Sequence, residues 1–304
     1  MDATTMTATL PATAGLAHEA PADRDLAYGP DPMHRLDVYH PPAPNGAMIL
    51  LIHGGGWWQG DKSKEEGLAR RLADAGYLVV APNYRFATGA ATAGGAANPA
   101  GAADAATGQT RQNLYPAQVE DVLAALDWAM QSPLNFHKVG AIGGSSGGNL
   151  ALEVAIARGV PAVSWSGLLD LAGFMERHGD AAPHPAVIDA STPGAAIDQG
   201  GPDPGYYKWL LFNLLGPGLE GLDRATPIGR IDPATGPVLM ANSMDELVPR
   251  EEPLIAAKAL ADAGVPSRVL LFEGARHATG YLEDALPETL RFFGHYLTPV
   301  ATQT

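Results

Sequence analysis

The stretch Gly143-Gly144-Ser145-Ser146-Gly147-Gly148-Asn149 follows an apolar run that ends at Ile142 and precedes a segment of small residues that starts at Leu150. A strand, then glycines, then a helix predicts a sharp turn, because glycine adopts backbone conformations that other residues avoid. A serine hydroxyl is a poor nucleophile and needs such a turn, a neighbouring base and backbone N–H donors. The stretch therefore predicts part of the fold and a candidate reactive site together.

Two registers of the pattern G-x-S-x-G overlap in this stretch, one centred on Ser145 and one on Ser146. Because Lys138 to Ile142 is predicted to be a short buried strand, the turn should follow at once and place Ser145 at its apex. Ser146 would then contribute its backbone N–H. A glycine-rich connection with no catalytic role is the alternative at this point, and other segments must decide.

Apolar runs and segments of helical spacing alternate along most of the chain, which predicts an α/β protein with a mostly parallel central sheet and helices on both faces. A strand pair is expected first, at 24–29 and 34–39. Further strands are predicted at 47–52, 78–81, 138–142, 162–165, 238–241 and 269–272, and helices at 64–75, 115–130, 150–157, 254–263 and 290–296.

Three segments interrupt this alternation within an expected single domain of residues 23–304. Residues 1–22 are rich in Ala, Thr and Pro and are expected to form a flexible N-terminal tail. Residues 87–113 are of low complexity and are expected to form a mobile insertion. Residues from about 171 to 232 are expected to form a cap insertion, with an apolar helix at 206–215 that either covers a pocket or only packs on the core.

The composition excludes several classes of function. The chain has 304 residues, a formal net charge of −14 and no cysteine. Nucleic acids and anionic membranes are unlikely partners of so acidic a chain, and disulfides, thiolate nucleophiles and cysteine-bound metals are excluded. No signal peptide or membrane-spanning stretch is recognised, so a cytoplasmic protein without membrane insertion is expected. The sequence does not predict the oligomeric state.

A second glycine-rich segment, His53-Gly54-Gly55-Gly56-Trp57-Trp58, follows the apolar run 47–52. Glycines let backbone N–H groups approach a ligand closely, and an oxyanion hole needs at least two such donors. A phosphate-binding loop is the alternative, but no P-loop lysine with a following Ser or Thr is present. The segment is therefore predicted to supply oxyanion donors opposite the Ser146 N–H.

The base and its orienting acid are sought after the later strands. His277 follows the strand predicted at 269–272 and is the best placed of the nine histidines. The acid is predicted to be Asp245, a few residues past the strand at 238–241. Glu246 and Asp170 remain as rivals, and an Asx-turn or a helix cap is the plain alternative for any aspartate in such a loop.

Ser145, Asp245 and His277 occur in the chain order of the α/β-hydrolases, and His53 to Gly56 match the HGGG element of that fold. The resemblance covers about residues 23–297. More narrowly, the chain resembles carboxylesterases of the hormone-sensitive-lipase and feruloyl-esterase-like groups, in which a Tyr-Arg pair follows the next strand, here Tyr84-Arg85. The resemblance implies that Gly55, Gly56 and Ser146, with Gly54 also possible, bind the oxyanion.

Three features depart from that family pattern and leave substrate preference open. Gly144 replaces an acidic residue often found before the nucleophile, Ser146 replaces a common alanine, and the low-complexity insertion has no obvious counterpart.

The resemblance implies a serine hydrolase that cleaves carboxylic esters of small to medium acyl or aromatic groups and requires neither a metal nor an organic cofactor. Its partner would be a small-molecule ester. An amidase or arylformamidase is the nearest alternative, and a non-catalytic receptor is less favoured because such receptors have lost a triad residue. Aromatic residues are predicted to line the pocket: Trp57, Trp58, Phe86, Trp165, Tyr206 and Trp209.

Overall fold

A computed structural model describes residues 22–87, 112–185 and 196–298 of the chain. Their strands form one sheet of eight in the order β1-β2-β4-β3-β5-β6-β7-β8. β3 to β8 run parallel, whereas β2 is antiparallel to both β1 and β4. The strands are β1 (Ala22–Ala27), β2 (Arg35–Tyr39), β3 (Ala47–Ile52), β4 (Leu78–Pro82), β5 (Lys138–Gly144), β6 (Ala162–Trp165), β7 (Val238–Ser243) and β8 (Ser267–Phe272).

Helices cover both faces of the sheet, as the alternation in the sequence predicts. None of the helices in the described ranges is long and apolar enough to cross a membrane. The α-helices are α1 (Glu66–Asp74), α2 (Ala117–Gln131), α3 (Ser146–Arg158), α4 (Leu171–Arg177), α5 (Pro204–Leu215), α6 (Leu222–Ala225), α7 (Glu251–Asp262) and α8 (Leu282–Leu297).

The burial of β3 explains why such strands are unbroken apolar runs in the sequence. All six of its residues are buried, and successive side chains enter opposite cores. Met48 and Leu50 pack into the core that contains α2, α3 and α7. Ile49 and Leu51 pack into the core that contains α1 and α8. A strand covered on both faces has no polar side to show in its sequence.

The predicted strands and helices are all present in the structure, but several of them begin or end at other residues than predicted. α3 begins at Ser146, directly after the turn, rather than at Leu150, and β7 continues to Ser243 rather than stopping at Ala241. α8 begins at Leu282 although Pro287 lies inside it. Residues 1–21, 88–111 and 186–195 lie outside the described part of the chain, and with them most of the predicted tail, most of the low-complexity insertion and part of the cap.

The Tyr84-Arg85 pair joins the end of β4 to neighbouring elements. The Tyr84 hydroxyl donates to the carbonyl of His53, 3.0 Å away. The Arg85 backbone N–H and guanidinium both donate to Asp121 of α2, at 2.6 to 3.0 Å. The Asp121 side chain is only 3% exposed and also contacts His34 Nε2 at 3.1 Å. Asp121 therefore connects two other segments of the chain through a nearly buried carboxylate.

Replacing Asp121 by Ala is expected to destabilise the fold by about 2–4 kcal/mol, because the backbone N–H and the guanidinium of Arg85 lose a buried, charged acceptor. The matched control is Asp127→Ala on the same helix, where Asp127 pairs with Arg158 at 2.9 Å and both side chains are exposed by a third or more. Loss of such a surface pair should cost less than about 1 kcal/mol. Urea denaturation of the two variants measures both values, and equal losses would contradict this account.

Candidate active site

Ser145 lies at the apex of the turn between β5 and α3, as the sequence predicts. Its backbone has φ 56° and ψ −126°, a conformation that costs a non-glycine residue on the order of 1–3 kcal/mol. The Ser145 N–H donates to the carbonyl of Trp165 at 2.8 Å, which ties the turn to β6. A Cβ on Gly147 would overlap the carbonyl of Ile52, so glycine is required where α3 approaches the end of β3.

The glycine segment after β3 packs directly against this turn. A Cβ at Gly54 would lie 3.3 Å from the Cβ of Ser145, so the two loops are in contact. The Gly54 N–H donates to the buried carboxylate of Glu65, whose pKa burial raises to about 7. The N–H groups of Gly55 and Gly56, by contrast, have no acceptor among the residues that the structure describes.

The free donors of this loop match two of the predicted oxyanion residues. Gly54 was the optional member of the set, and its N–H is occupied. Ser146 is the first residue of α3, and the first N–H groups of an α-helix have no partner within the helix. The donors available beside Ser145 are thus those of Gly55, Gly56 and Ser146.

Glu246, and not Asp245, contacts the imidazole of His277. The distance from His277 Nδ1 to Glu246 Oε2 is 2.5 Å, and both side chains are buried. The Asp245 side chain is 67% exposed and lies 3.8 Å from Arg250. The structure therefore corrects the choice of Asp245. The other rival, Asp170, caps α4 by accepting from the Gly173 N–H and pairs with Arg177.

The Glu246 carboxylate is fixed by two further donors. The Ser243 N–H donates to Oε1 at 2.6 Å, and the Ser166 hydroxyl donates to the same oxygen at 3.0 Å. Ser166 Oγ also accepts from the N–H of Ala278, the residue after His277, at 2.8 Å. The Ser166 hydroxyl thus connects Glu246 with the loop that carries His277.

The other imidazole nitrogen, His277 Nε2, is buried and has no hydrogen-bond partner within the described residues. The loop that carries His277 packs against the serine turn, since a Cβ at Gly144 would be 2.9 Å from the Cβ of Ala278. This contact also explains the glycine before Ser145, because a larger side chain would displace the histidine loop. Nε2 is therefore available to accept a proton in a site closed to most solvent.

Burial and charge act in opposite directions on His277. Burial favours the neutral imidazole, but the carboxylate of Glu246, with a smaller contribution from Asp198, raises the pKa of His277 above its ordinary value. The carboxylates therefore stabilise the imidazolium that forms when Nε2 takes up a proton.

Four of the six predicted pocket aromatics belong to the buried cores: Trp57, Trp165, Tyr206 and Trp209. Trp165 is fully buried on the α1 and α8 side, where its Nε1 donates to Thr289 at 3.3 Å, so it does not line the site. Trp57 is also fully buried, in the opposite core.

Tyr206 and Trp209 are core residues on the cap helix α5, whereas Trp58 and Phe86 are partly buried and lie near the glycine segment. Trp58 packs edge-to-face on Trp209 of α5, with ring centroids 5.1 Å apart, and Tyr206 stacks on Trp209 at 6.1 Å. The ring of Phe86 meets that of His53, at the start of the glycine segment, edge-on at 6.1 Å. A Cβ on Gly56 would overlap Leu210 of α5, so the cap helix rests directly on the glycine segment.

The contact between Glu246 and His277 predicts a specific change in titration. Glu246→Gln keeps the size of the side chain but removes its charge, so the pKa of His277 should fall. Asp245→Asn is the matched neighbouring control and should leave that pKa unchanged. NMR titration of the His277 imidazole measures both, and a shift in the Asp245 variant alone would contradict the observed pairing.

Two family models match adjacent parts of the chain: one described as BD-FAE at residues 36–104 and one described as alpha/beta hydrolase fold at residues 111–176. Among curated relatives, an ethyl acetate hydrolase of Pseudomonas putida is 29% identical over 153 residues, covering 47% of this chain and 41% of that protein. An arylacetamide deacetylase of Oryctolagus cuniculus is 33% identical over 116 residues, covering 35% and 23%.

The matched stretches of these two relatives span less than half of either protein's own length. Among solved structures, an esterase of Pyrobaculum calidifontis superposes with a TM-score of 0.65 at 20% identity, covering 91% of this chain and 86% of that one. With the parallel sheet, the serine turn after β5 and the histidine after β8, these matches show an α/β-hydrolase fold and a similarity of the chain to carboxylesterases.

Proposed function

We propose that the protein is a serine hydrolase that cleaves carboxylic esters through an acyl-enzyme intermediate. The observation that carries the proposal is the buried His277, which contacts Glu246 through Nδ1, has no partner for Nε2 among the described residues, and belongs to a loop that packs against the strained Ser145 turn. A nucleophile, a base and a group that orients the base are the arrangement that activates a serine hydroxyl.

In the proposed first half-reaction, Ser145 Oγ attacks the ester carbonyl carbon while His277 Nε2 takes the hydroxyl proton. The carbonyl π bond breaks, its electron pair moves to the oxygen, and a tetrahedral intermediate forms. When that intermediate collapses, the bond from carbon to the alcohol oxygen breaks and His277 returns the proton to the leaving alcohol. Water then repeats the sequence on the acyl-serine and releases the acid.

Glu246 remains ionised in this scheme and holds the imidazole with its proton on Nδ1. Its charge offsets the positive charge that develops on His277 in each transition state. The N–H groups of Gly55, Gly56 and Ser146 would stabilise the oxyanion, and each such donor typically contributes on the order of a hundredfold or more in rate.

The aromatic cluster supports an apolar acyl or aryl group in the substrate. Trp58, Tyr206 and Trp209 form a continuous set of rings between the glycine segment and the cap helix. Apolar lining with a few convergent polar groups is typical of small-molecule sites. We propose esters of small to medium size as the substrates, with these rings and Phe86 as their binding residues.

The nucleophile is tested by Ser145→Ala, which should lower the hydrolysis of p-nitrophenyl butyrate by at least about 10³-fold, since the acyl-enzyme can no longer form. Ser63→Ala, at an exposed position before α1, is the control and should retain wild-type turnover. A fluorophosphonate probe followed by peptide mapping should label Ser145. Equal turnover in wild type and Ser145→Ala would overturn the proposed mechanism, and labelling of Ser146 would overturn the register.

An amidase is the second candidate, and one observation favours it: the arylacetamide deacetylase among the matched relatives bears the name of an enzyme that acts on amides. The same triad chemistry applies to both bond types. The amine of an amide is a poorer leaving group than the alcohol of an ester, so amide cleavage depends more on protonation of the leaving group by the histidine.

Competition between the two bond types separates the candidates. We expect p-nitrophenyl acetate to be hydrolysed with a kcat/KM at least about 10²-fold above that of p-nitroacetanilide and of N-formylkynurenine, because ester cleavage needs less assistance from the general acid. Parallel assays with the Ser145→Ala variant correct for background hydrolysis. A preference for either amide would replace the esterase assignment by the amidase one.

A further inference from the structure

We propose that Gln199, in the cap insertion, is a positioning residue that holds the backbone of His277 in the geometry required for catalysis. The inference rests on the proposed function, in which His277 is the base. The inference gives the cap insertion a role in positioning His277.

The Gln199 side chain forms two hydrogen bonds with the main chain of His277 itself. Gln199 Oε1 accepts from the His277 N–H at 2.9 Å, and Gln199 Nε2 donates to the His277 carbonyl at 3.0 Å. A neighbouring strand would make the same pair of bonds to an extended residue. His277 has the matching extended conformation, with φ −110° and ψ 134°. The side-chain amide therefore substitutes for a strand partner at a residue beyond the end of β8.

The amide is fully engaged, which makes the contact rigid. The second N–H of Gln199 Nε2 donates to the carbonyl of Ile197 at 2.6 Å, so both donors and the acceptor oxygen are used. A Cβ on Gly280 would overlap Gln199 Oε1, so the absence of a side chain at position 280 makes room for the glutamine. Two separate positions, one in the cap and one in the histidine loop, thus fit each other.

The backbone of the histidine loop has a second support on the opposite side, where Ser166 Oγ accepts from the Ala278 N–H. Without Gln199, residue 277 would lose both of its bonds to the cap while residue 278 kept its bond to Ser166. The imidazole would then rotate or shift relative to Glu246 and Ser145. A misplacement of the order of 1 Å is sufficient to reduce catalysis by about 10²-fold.

A variant of Asp198 can separate the effect of charge on His277 from the effect of its position. Asp198 affects the charge of the imidazole, whereas Gln199 contacts the His277 backbone. The charged groups that face His277 are Glu246 from the β7–α7 loop and Asp198 from the cap, while Arg276 pairs with Asp284 at the surface. Asp198 has φ 57°, which asparagine tolerates well, so Asp198→Asn should keep the backbone that carries Gln199. The pair of variants therefore distinguishes loss of charge from loss of position.

The test compares Gln199→Ala with Gln118→Ala in the full chain. Gln118 is the control because its side-chain amide also binds backbone, donating to the carbonyls of Arg85 and Asn113 rather than to the histidine loop, and it is the more deeply buried of the two glutamines. Gln199→Ala should lower kcat by about 10- to 100-fold with little change in KM, and by the same factor for p-nitrophenyl acetate and p-nitrophenyl butyrate. Gln118→Ala should keep the wild-type kcat even where its melting temperature falls as far.

Two further variants test the geometry. Gly280→Ala should reproduce the loss of kcat, because the added methyl group occupies the place of Gln199 Oε1. Asp198→Asn should move the acidic limb of the kcat/KM profile to lower pH, since one negative charge near the imidazole is lost, and should leave the plateau rate within about threefold of wild type. A larger KM for the longer ester, with kcat preserved in Gln199→Ala, would show that Gln199 only shapes the pocket and would overturn the proposal.

A spectroscopic measurement keeps this inference independent of the esterase assignment. NMR of the wild type should show a downfield Nδ1 proton from the contact between His277 and Glu246, and Gln199→Ala should weaken that signal and lower the pKa of His277. If the wild type hydrolysed no ester, the proposed function would fail while the NMR result still decided the role of Gln199. An unchanged Nδ1 signal and pKa in Gln199→Ala would overturn the positioning role.

Discussion

The close approach of α3 to the end of β3 is the constraint on which the rest of the structure depends. The carbonyl of Ile52 occupies the space that a side chain at Gly147 would need, and Ser145 is held in a strained conformation by its bond to Trp165. Such strain persists only where the surroundings over-determine the backbone. Here the sheet supplies that support on both sides, because β5 is paired with β3 and with β6.

The same crowding brings the glycine segment and the histidine loop to the serine. Gly54 and Gly144 lack side chains where each contacts a neighbouring loop. In the glycine segment, Glu65 accepts from the Gly54 N–H and Tyr84 donates to the carbonyl of His53, so the chain just before the free donors is fixed. Pre-organised donors of this kind cost no reorganisation when charge develops on a substrate.

Much of this arrangement follows from local sequence, which explains why the fold and the serine turn were predictable. Apolar runs such as 47–52 define strands buried on both faces, and glycines define turns. Trp165 was mistaken for a pocket residue, although the alternation along β6 contained the signal: Val163 and Trp165 enter the same core, opposite to Ala162. Period-two alternation in a short buried strand decides the face, and aromatic character does not.

The acid was less predictable, because Asp245 and Glu246 are neighbours in a turn and sequence spacing alone cannot orient them. Glu246 is held beside His277 because β7 continues to Ser243. The Ser243 N–H donates to the carboxylate of Glu246, three residues later in the chain. The following residues, Leu247 and Val248, are buried, while Asp245 faces Arg250 in solvent. The available signal in the sequence was the apolar pair Leu247-Val248 directly after Glu246, which favours burial of Glu246 over burial of Asp245. Gln199 offered none, since its partners are backbone atoms 78 residues away.

Placing two carboxylates near a buried histidine has opposite effects on its use as a base. Glu246 and Asp198 raise the pKa of His277. In the proposed mechanism this stabilises the imidazolium that forms when His277 takes up a proton, but it also extends protonation of the resting imidazole to higher pH. Burial opposes that shift, because it disfavours the charged imidazolium. Because Asp198 belongs to the cap and Glu246 to the β7–α7 loop, the cap contributes to the pKa of His277 as well as contacting its backbone through Gln199. In the proposed mechanism the cap therefore acts on the base itself, in addition to any role in covering the substrate.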